Sequence, residues 1–252
     1  MRTPDGDLRA VLFDVFGTLV DWRTSITHSL ATFGTDRGIV AAWDHIADDW
    51  RGEYQPAMEA VRSGRRPWTI LDVLHRESLE RVLDRHGIEG LGEDDLHELT
   101  LAWHHLDPWP DVVPGLTRLA TRYTVGSLSN GNTLLLTDLA RHAGLPFDAV
   151  LGAETASTYK PRPDAYLRNV AALGLHPGQV MLVAAHNGDL AAAREQGLRT
   201  AFVARLTEHG PSQTTDLEPA DDWDIVADDI DAVATALGCR EETTRSSGPG
   251  VE

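Results

Sequence analysis

The sequence predicts an α/β fold, in which a parallel sheet flanked by helices carries an inserted helical cap. Two observations predict it. Short apolar runs alternate with helical patterns in the C-terminal half of the chain, which is typical of βα repeats and a parallel sheet. A similar apolar run lies near the N-terminus, separated from the others by a long block without strand-like runs. We therefore assign residues 1–22 and 107–240 to a core, residues 23–106 to a helical cap and the polar residues 241–252 to a disordered tail.

The first predicted strand lies in the run from Arg9 to Val20. Residues 10–15 of this run are apolar apart from Asp14, and the turn residues Gly17 and Thr18 end the pattern. A continuous apolar run bounded by turn residues is typical of a strand that is covered on both faces. By the same pattern we predict four more strands, at Tyr123–Ser129, Ala149–Leu151, Val180–Ala184 and Thr200–Ala204.

Helical spacing of apolar residues predicts the remaining elements. Breaks at Gly64 and Gly87 separate helical segments within the cap. These segments are Ala41–Met58, Thr69–His86 and Gly92–His105. The predicted core helices are Leu116–Thr121, Thr133–Ala143, Pro163–Leu173 and Leu190–Glu195. Four tryptophans suit the core or the seam between cap and core better than a binding site, namely Trp43, Trp68, Trp103 and Trp109.

Composition excludes several classes of protein. The 252 residues are 42% apolar, which suits one large domain or a core with a smaller insert. The formal net charge of −17 repels nucleic acids and anionic membrane surfaces, so neither is expected as a partner. The single cysteine, Cys239, rules out an intrachain disulfide. Because there is no apolar leader and no run of ~18 apolar residues, we expect a soluble, cytoplasmic protein.

Polar side chains follow the predicted strands at the edge where open α/β sheets bind ligands. Asp14 lies in an apolar strand, where a carboxylate is costly unless it is paired or used, and suits a nucleophile, a metal ligand or a turn residue. Ser129 and Asn130 precede a helix and suit an anion site or ordinary helix capping. Lys160 could neutralise carboxylates or be solvated, and Asp189 could face Asp14 or cap its own helix. Because all of these residues lie at the same edge of the sheet, a shared functional site is favoured over unrelated structural roles.

Four segments, in this order, resemble the motifs of the haloacid dehalogenase (HAD) superfamily. The segments are Asp14-Val-Phe-Gly-Thr18, Ser129-Asn-Gly, Lys160-Pro and His186-Asn-Gly-Asp189. The chain is similar in particular to the type II branch, the L-2-haloacid dehalogenases. The resemblance covers about residues 9–235 and implies a Rossmann-like HAD core, with the α-helical cap inserted after the first motif.

Two positions bear on the branch. HAD phosphatases carry a second Asp two residues after the nucleophile, which protonates the departing alkoxide, and an Asp in the fourth motif that holds Mg²⁺. This chain has Phe16 and Ala185 at these positions. A halide leaves as a stable anion and needs no proton, whereas phosphoryl transfer relies on a metal to offset charge. The resemblance therefore implies a hydrolase of short 2-haloalkanoic acids that uses neither a cofactor nor a metal.

The resemblance also implies a mechanism. Asp14 attacks the α-carbon of the 2-haloacid from the side opposite the halogen, which gives an aspartyl ester and free halide. Water then hydrolyses the ester, and a 2-hydroxy acid of inverted configuration leaves. Asp189 would position or deprotonate this water, and Lys160 would keep Asp14 ionised and oriented.

The resemblance further implies a set of substrate contacts. Arg51 follows Trp50 in the predicted cap, as the family's cap arginine follows a Trp, and would supply a cation for the halide. Three residues would bind the carboxylates or the ester oxygens, namely Thr18, Ser129 and Asn130. Phe16 and Tyr166 would lie beside the substrate.

The fourth motif departs from the family pattern at three positions. Ala184 and His186 stand where characterised sequences of the branch carry Ser and Asn, and Gly188 stands where they carry Trp. His186 could replace the Asn as a hydrogen-bonding partner, or assist Asp189 with the water, since an unperturbed histidine titrates near neutrality.

Three alternatives stay open at this point. They are a Mg²⁺-dependent HAD phosphatase, a HAD-like protein that binds a small carboxylate without turnover, and an enzyme that opens a strained-ring 2-carboxylate by the same displacement. The sequence also leaves open the halogen, the chain length of the acid and the preferred enantiomer. A homodimer is compatible with the sequence, because helices of the cap or core commonly pair in this family.

Overall fold

A computed structural model describes residues 7–240, which form one five-stranded parallel sheet and its flanking helices. The strands are β1 (Ala10–Phe13), β2 (Thr124–Ser127), β3 (Val180–Ala184), β4 (Arg199–Val203) and β5 (Ile225–Ala227). Their order across the sheet is β2-β1-β3-β4-β5. The predicted α/β fold is confirmed. The predicted tail, residues 241–252, lies outside the described residues.

Helices fill the chain between β1 and β2. They are α1 (Trp22–Arg37), α2 (Trp43–Gly52), α3 (Tyr54–Arg62), α4 (Leu71–Arg85), α5 (Glu93–Thr100), the 3-10 helix Leu101–His104 and α6 (Val112–Ala120). We refer to α1–α5 with the 3-10 helix as the cap helices. Residues 21–106 are all described and contain no strand, as the sequence predicts. The division into two domains at 23 and 106 stays a prediction.

The central strands β1 and β3 are covered on both faces, which explains why they are continuously apolar. Val11 and Phe13 of β1 belong to a cluster that includes side chains of α6 and of a C-terminal helix, whereas Ala10 and Leu12 belong to a cluster on the opposite face. Successive side chains of a strand point to opposite faces, so both sets must be apolar. The remaining helices are α7 (Thr133–Ala143), α8 (Ala153–Ala156), α9 (Pro163–Ala172), α10 (Asn187–Glu195), α11 (Ile230–Ala236) and the 3-10 helix Pro177–Gln179.

The predicted strand at Ala149–Leu151 is wrong. Ala149 forms a single bridge to Gly126 of β2. Beyond it, the Ser127 hydroxyl donates to the Leu151 carbonyl oxygen at 2.8 Å and accepts from the Leu151 N–H at 2.9 Å. Backbone hydrogen bonds join Ala149 to Val125 and Ser127, but the Ser127 side chain takes their place at Leu151, so the segment runs beside β2 without becoming a strand. The sequence patterns also missed β5, α8 and α11.

The predicted helix at Ala41–Met58 is wrong as one element, because the chain forms α2 and α3 instead. Pro56 lies in the first turn of α3. Proline has no N–H, and its ring would clash with the carbonyl four residues earlier, at Gly52, in a continuous helix. The helix therefore ends at Gly52 and restarts. Likewise, the predicted segment Gly92–His105 tightens from α5 into the 3-10 helix.

Polar contacts tie the cap helices to the core helix α7 beside the carboxyl edge of the sheet. His104 of the 3-10 helix contacts Asp72 of α4 at 3.2 Å and Asp138 of α7 at 3.1 Å. The Asn132 amide, at the start of α7, also donates to Asp72, at 2.9 Å. None of the helices in residues 7–240 combines the length and hydropathy that a bilayer span requires.

Replacement of Leu12 by alanine should destabilise the fold by about 2–5 kcal/mol, because it leaves a cavity in a central strand that is fully buried. Val226→Ala is the matched control, since Val226 lies on the edge strand β5 and is 53% exposed. We expect this control to cost less than about 0.5 kcal/mol in urea unfolding. Equal losses in the two variants would contradict the assignment of Leu12 to the core.

Candidate active site

The segments that follow β1, β2 and β3 meet under the cap helices at the carboxyl edge of the sheet. There they border a cavity of about 870 Å³. Eight of the ten predicted site residues line this cavity, namely Asp14, Phe16, Arg51, Asn130, Lys160, Tyr166, His186 and Asp189. Thr18 and Ser129 do not line it.

Asp14 follows β1 directly and is 7% exposed. Its Oδ1 accepts a hydrogen bond from Lys160 Nζ at 2.9 Å, and its Oδ2 accepts one from the Thr18 hydroxyl at 2.8 Å. His186 Nδ1 lies 3.2 Å from the same Oδ2. Burial alone would raise the pKa of Asp14, but the Lys160 charge and the His186 hydrogen bond outweigh it, so this pKa lies far below its ordinary value. Asp14 is thus a buried carboxylate that stays ionised.

Lys160 joins the two carboxylates of the site. Its ammonium donates to Asp14 and to Asp189, and its backbone N–H donates to the Asn130 side-chain oxygen at 2.8 Å. Burial would lower the pKa of Lys160, but the two carboxylates raise it above its ordinary value. The side chain is therefore a cation fixed between two anions, and not a solvated surface lysine.

Asp189 lies in the first turn of α10, but it does not cap that helix. His186 occupies the N-cap position, and no side-chain hydrogen bond caps the helix. The Asp189 carboxylate instead accepts from Lys160 and, at 2.6 Å, from the Tyr166 hydroxyl of α9. The arrangement brings Asp189 to the same ammonium as Asp14, as expected for a second carboxylate of one site.

Thr18 and Ser129 differ in their relation to the site. The Thr18 hydroxyl lies between Asp14 Oδ2 and the backbone N–H of Ala185, which donates to it at 2.9 Å. Thr18 therefore contacts the Asp14 carboxylate from outside the cavity, which it does not line. The Ser129 hydroxyl accepts from the Gly131 N–H at 3.3 Å, within its own loop. The structure does not bring Ser129 to the substrate side.

Glu208 is a component of the site that the sequence analysis missed. It lies in the loop after β4, is 1% exposed and contacts His186 Nε2 through Oε2 at 2.9 Å. Its Oε1 accepts from the Trp22 indole N–H at 3.1 Å. Burial would lower the pKa of His186, but the Glu208 charge and the hydrogen bond to Asp14 raise it well above its ordinary value. The strand-end rule that located Asp14 would also have pointed to this loop.

The cap contributes Arg51 and the aromatic residues around it. The guanidinium lies 4.2 Å from the centre of the Tyr54 ring and 5.1 Å from the Trp22 ring. Arg51 Nη2 is 3.9 Å from Glu208 Oε1. Within residues 7–240, Arg51 Nη1 is buried without a hydrogen-bond partner. This nitrogen is a donor that an anion in the cavity can satisfy.

The aromatic residues separate into core and cavity groups. Trp103 is fully buried and stacks on His75, with ring centres 4.4 Å apart. Trp43, Trp68 and Trp109 are partly buried against the core, and none of these four tryptophans lines the cavity. Trp22, Tyr54 and His209 do line it, although the sequence patterns did not single out Trp22 or His209.

The described residues of the site do not offer the donor set of a metal site. Across residues 7–240, no group of three His, Cys, Asp or Glu side chains is placed to hold a metal ion. Lys160 occupies the position between the two aspartates, and Ala185 follows β3 without a carboxylate.

Comparison with known proteins places the chain in a family. The family model described as haloacid dehalogenase-like hydrolase matches residues 8–197. The chain belongs to the haloacid dehalogenase-like hydrolases. The family predicted from the four motifs is thus confirmed.

Several proteins that are similar to this chain are named 2-haloacid dehalogenases. The (S)-2-haloacid dehalogenase of Xanthobacter autotrophicus is 32% identical over 203 residues, which cover 80% of this chain and 77% of that protein. The crystal structure of a defluorinating L-2-haloacid dehalogenase has 52% identity and a TM-score of 0.90, covering 92% of this chain and 95% of the other. An L-2-haloacid dehalogenase of Xanthobacter autotrophicus with chloropropionic acid covalently bound has 26% identity and a TM-score of 0.77, covering 92% and 98%.

Replacement of Gly17 by alanine should lower the pKa of His186. A Cβ at Gly17 would overlap the Glu208 carboxylate and displace it, and His186 would then lose the charge that favours its protonation. Gly38→Ala is the matched control, since both glycines have positive φ but a Cβ at Gly38 meets open space. Both variants should lose roughly 1–2 kcal/mol of stability from backbone strain, and Gly17→Ala should lose more because Glu208 also leaves its buried hydrogen bonds.

The measurement is an NMR titration of the His186 ring together with urea unfolding. We expect the His186 pKa to fall only in Gly17→Ala. An unchanged His186 pKa in that variant would contradict the role of Glu208 as the neighbouring charge.

Proposed function

We propose that this protein hydrolyses short 2-haloalkanoic acids to 2-hydroxy acids through an ester on Asp14. The observation that carries the proposal is the state of Asp14, a buried carboxylate held ionised by Lys160 and His186 at the edge of a cavity. Carboxylates form covalent intermediates when they are positioned as nucleophiles. The names of the similar proteins support a haloacid as the substrate.

The first step is displacement of the halide. An oxygen of Asp14 attacks the α-carbon, the bond to the halogen breaks, and the halide leaves with the electron pair. The position two residues after Asp14 is Phe16, a buried apolar side chain that cannot donate a proton. This suits a leaving group that is stable as an anion. The free Nη1 of Arg51 supplies a cationic donor for the departing halide.

The second step is hydrolysis of the ester by water. Asp189 is our candidate for positioning this water, since its carboxylate lies on the cavity and shares the Lys160 ammonium with Asp14. Because the first step inverts the α-carbon and the second leaves it untouched, the 2-hydroxy acid has the inverted configuration.

The local charges allow an anionic substrate to bind despite the net charge of −17. Three carboxylates and three cations form one connected set of ion pairs at the site, namely Asp14, Asp189 and Glu208 with Lys160, His186 and Arg51. The formal charge of this connected set is zero, whereas Asp48, Glu59, Arg62 and Asp216 also line the cavity. Fields from more distant surface carboxylates are screened over about 8 Å at physiological salt.

We also propose a domain division, an oligomeric state, a cellular location and a further substrate to be tested. The cap helices support a division into a core of residues 1–22 and 107–240 and a cap of residues 23–106. We propose a homodimer and a cytoplasmic location on the basis of the sequence and of what is common in this family. Fluoroacetate belongs among the substrates to be tested, because a structure 52% identical to this chain is that of a defluorinating enzyme.

Asp14→Asn should abolish halide release while the fold is retained. The amide is a poor nucleophile, and loss of a covalent nucleophile costs at least about 1000-fold in rate. Asp44→Asn, on the exposed side of α2, is the control and should keep full activity. The assay measures halide released from fluoroacetate and from both enantiomers of 2-chloropropionate, with and without Mg²⁺, and circular dichroism checks the fold.

The halide assay, together with an assay of phosphate release, separates the alternatives. Strong Mg²⁺-dependent release of phosphate from phosphate esters, without halide release, would identify a phosphatase. Binding of haloacids without any halide release would identify a carboxylate-binding protein. Undiminished turnover by Asp14→Asn would exclude Asp14 as the nucleophile.

A further inference from the structure

We propose that the ester forms on Oδ1 of Asp14, and that Glu208 holds His186 as an imidazolium which, with Thr18, binds the oxyanion on Oδ2 during ester hydrolysis. Glu208 is thus a positioning residue and His186 a catalytic one. The inference rests on the proposed dehalogenation and concerns its second half.

The hydrogen bonds of Asp14 distinguish its two oxygens. Oδ2 accepts from the Thr18 hydroxyl and from His186, whereas Oδ1 accepts only from Lys160 among residues 7–240. A carboxylate oxygen has two lone pairs available for hydrogen bonds. Both lone pairs on Oδ2 are therefore occupied, and one on Oδ1 is free. The free lone pair makes Oδ1 the attacking atom and leaves Oδ2 as the carbonyl oxygen of the ester.

The surroundings of His186 require a proton on each ring nitrogen. Nδ1 faces the Asp14 carboxylate at 3.2 Å, and Nε2 faces the Glu208 carboxylate at 2.9 Å. Ionised carboxylates only accept hydrogen bonds, so a neutral ring would set one bare nitrogen against a carboxylate oxygen. On the far side of Glu208 lie Arg51 at 3.9 Å and His209 at 3.5 Å. The raised pKa of His186 agrees with the imidazolium form.

Burial, a hydrogen bond and close packing hold Glu208 in this position. The carboxylate is 1% exposed, accepts from the Trp22 indole and lies where a Cβ of Gly17 would be. A rigid anion holds His186 without reorganisation when charge develops on Asp14. Donors held in advance in this way are the basis of oxyanion stabilisation.

Hydrolysis begins with attack of a water molecule on the ester. The water oxygen bonds to the Asp14 carboxyl carbon, its proton passes to Asp189, and the carbonyl electron pair moves to Oδ2, beside Thr18 and His186. On collapse the bond from the carboxyl carbon to Oδ1 breaks, and Oδ1 leaves as the hydroxyl oxygen of the product. Lys160 donates a proton to this oxygen and regains one from Asp189, to which it is hydrogen bonded. The new Asp14 carboxyl group releases its proton to solvent.

Glu208→Gln should slow ester hydrolysis more than halide release. Loss of one donor of an oxyanion site costs about 100–1000-fold, and this is the upper limit for Glu208→Gln, because a neutral His186 can still donate from Nδ1. Rapid mixing with 2-chloropropionate should give a burst of one halide per site, followed by slow turnover, with the ester on Asp14 visible by mass spectrometry. Glu77→Gln, in an ion pair with Arg66 away from the cavity, is the control and should show wild-type kinetics.

The pH dependence of ester decay gives a readout that a structural role would not move. The decay needs protonated His186, so its rate should fall as pH rises through the His186 pKa. The Glu208 charge raises that pKa, so the fall should begin at lower pH in Glu208→Gln and return towards the wild-type position in Glu208→Asp. His186→Gln keeps a donor but does not titrate, and its slow decay should lack this fall.

Three results would overturn the inference while wild-type dehalogenation stands. The first is equal slowing of halide release and ester decay in Glu208→Gln. The second is a pH profile of ester decay that does not shift in Glu208→Gln, or that still falls with rising pH in His186→Gln. The third is a crystal structure of the trapped ester in which the α-carbon is bonded to Oδ2. Should Glu208→Gln not fold, His186→Gln provides the test alone. Absence of halide release from the wild-type protein would instead overturn the proposed function.

Discussion

The Lys160 ammonium, held between Asp14 and Asp189, is the interaction on which the rest of the site depends. Two carboxylates at neighbouring strand ends would repel each other, and burial would favour their protonated forms. The cation offsets both effects, and Asp14 stays ionised. The Asn130 side-chain oxygen accepts from the Lys160 backbone N–H, and Arg62 of the cap helices donates to the Lys160 carbonyl oxygen at 2.7 Å. The segment after β2 and the cap thereby help to set the position of Lys160.

A second ion pair, His186 with Glu208, extends the first into the loop after β4. Asp14 contacts both cations, Lys160 through Oδ1 and His186 through Oδ2. The two oxygens therefore have different surroundings, although they are chemically equivalent in a free carboxylate. The cap joins the network through Trp22 and Arg51 at the Glu208 carboxylate. The contacts that pack the cap helices against the edge of the sheet therefore also complete the site.

Sequence patterns predicted the parts of the molecule that depend on local composition. β1 and β3 are continuously apolar because both faces are covered, and Asp14, Lys160 and Asp189 lie at strand ends or helix starts, where polar residues are conspicuous. The segment Ala149–Leu151 misled because its backbone hydrogen bonds to β2 are confined to Ala149, and the Ser127 side chain replaces them at Leu151. Glu208 was missed because its partners Trp22 and His186 are brought to it only by the tertiary fold. β5 has three residues, too few for a reliable pattern.

The central claim is that Asp14, and not water, attacks the α-carbon. A single turnover in H₂¹⁸O, with enzyme in excess over 2-chloropropionate, tests it most directly. If Asp14 is the nucleophile, the hydroxyl oxygen of the product comes from its carboxyl group, and the label appears by mass spectrometry in the peptide that contains Asp14. Label in the 2-hydroxy acid of that first turnover, with none in the peptide, would contradict the account.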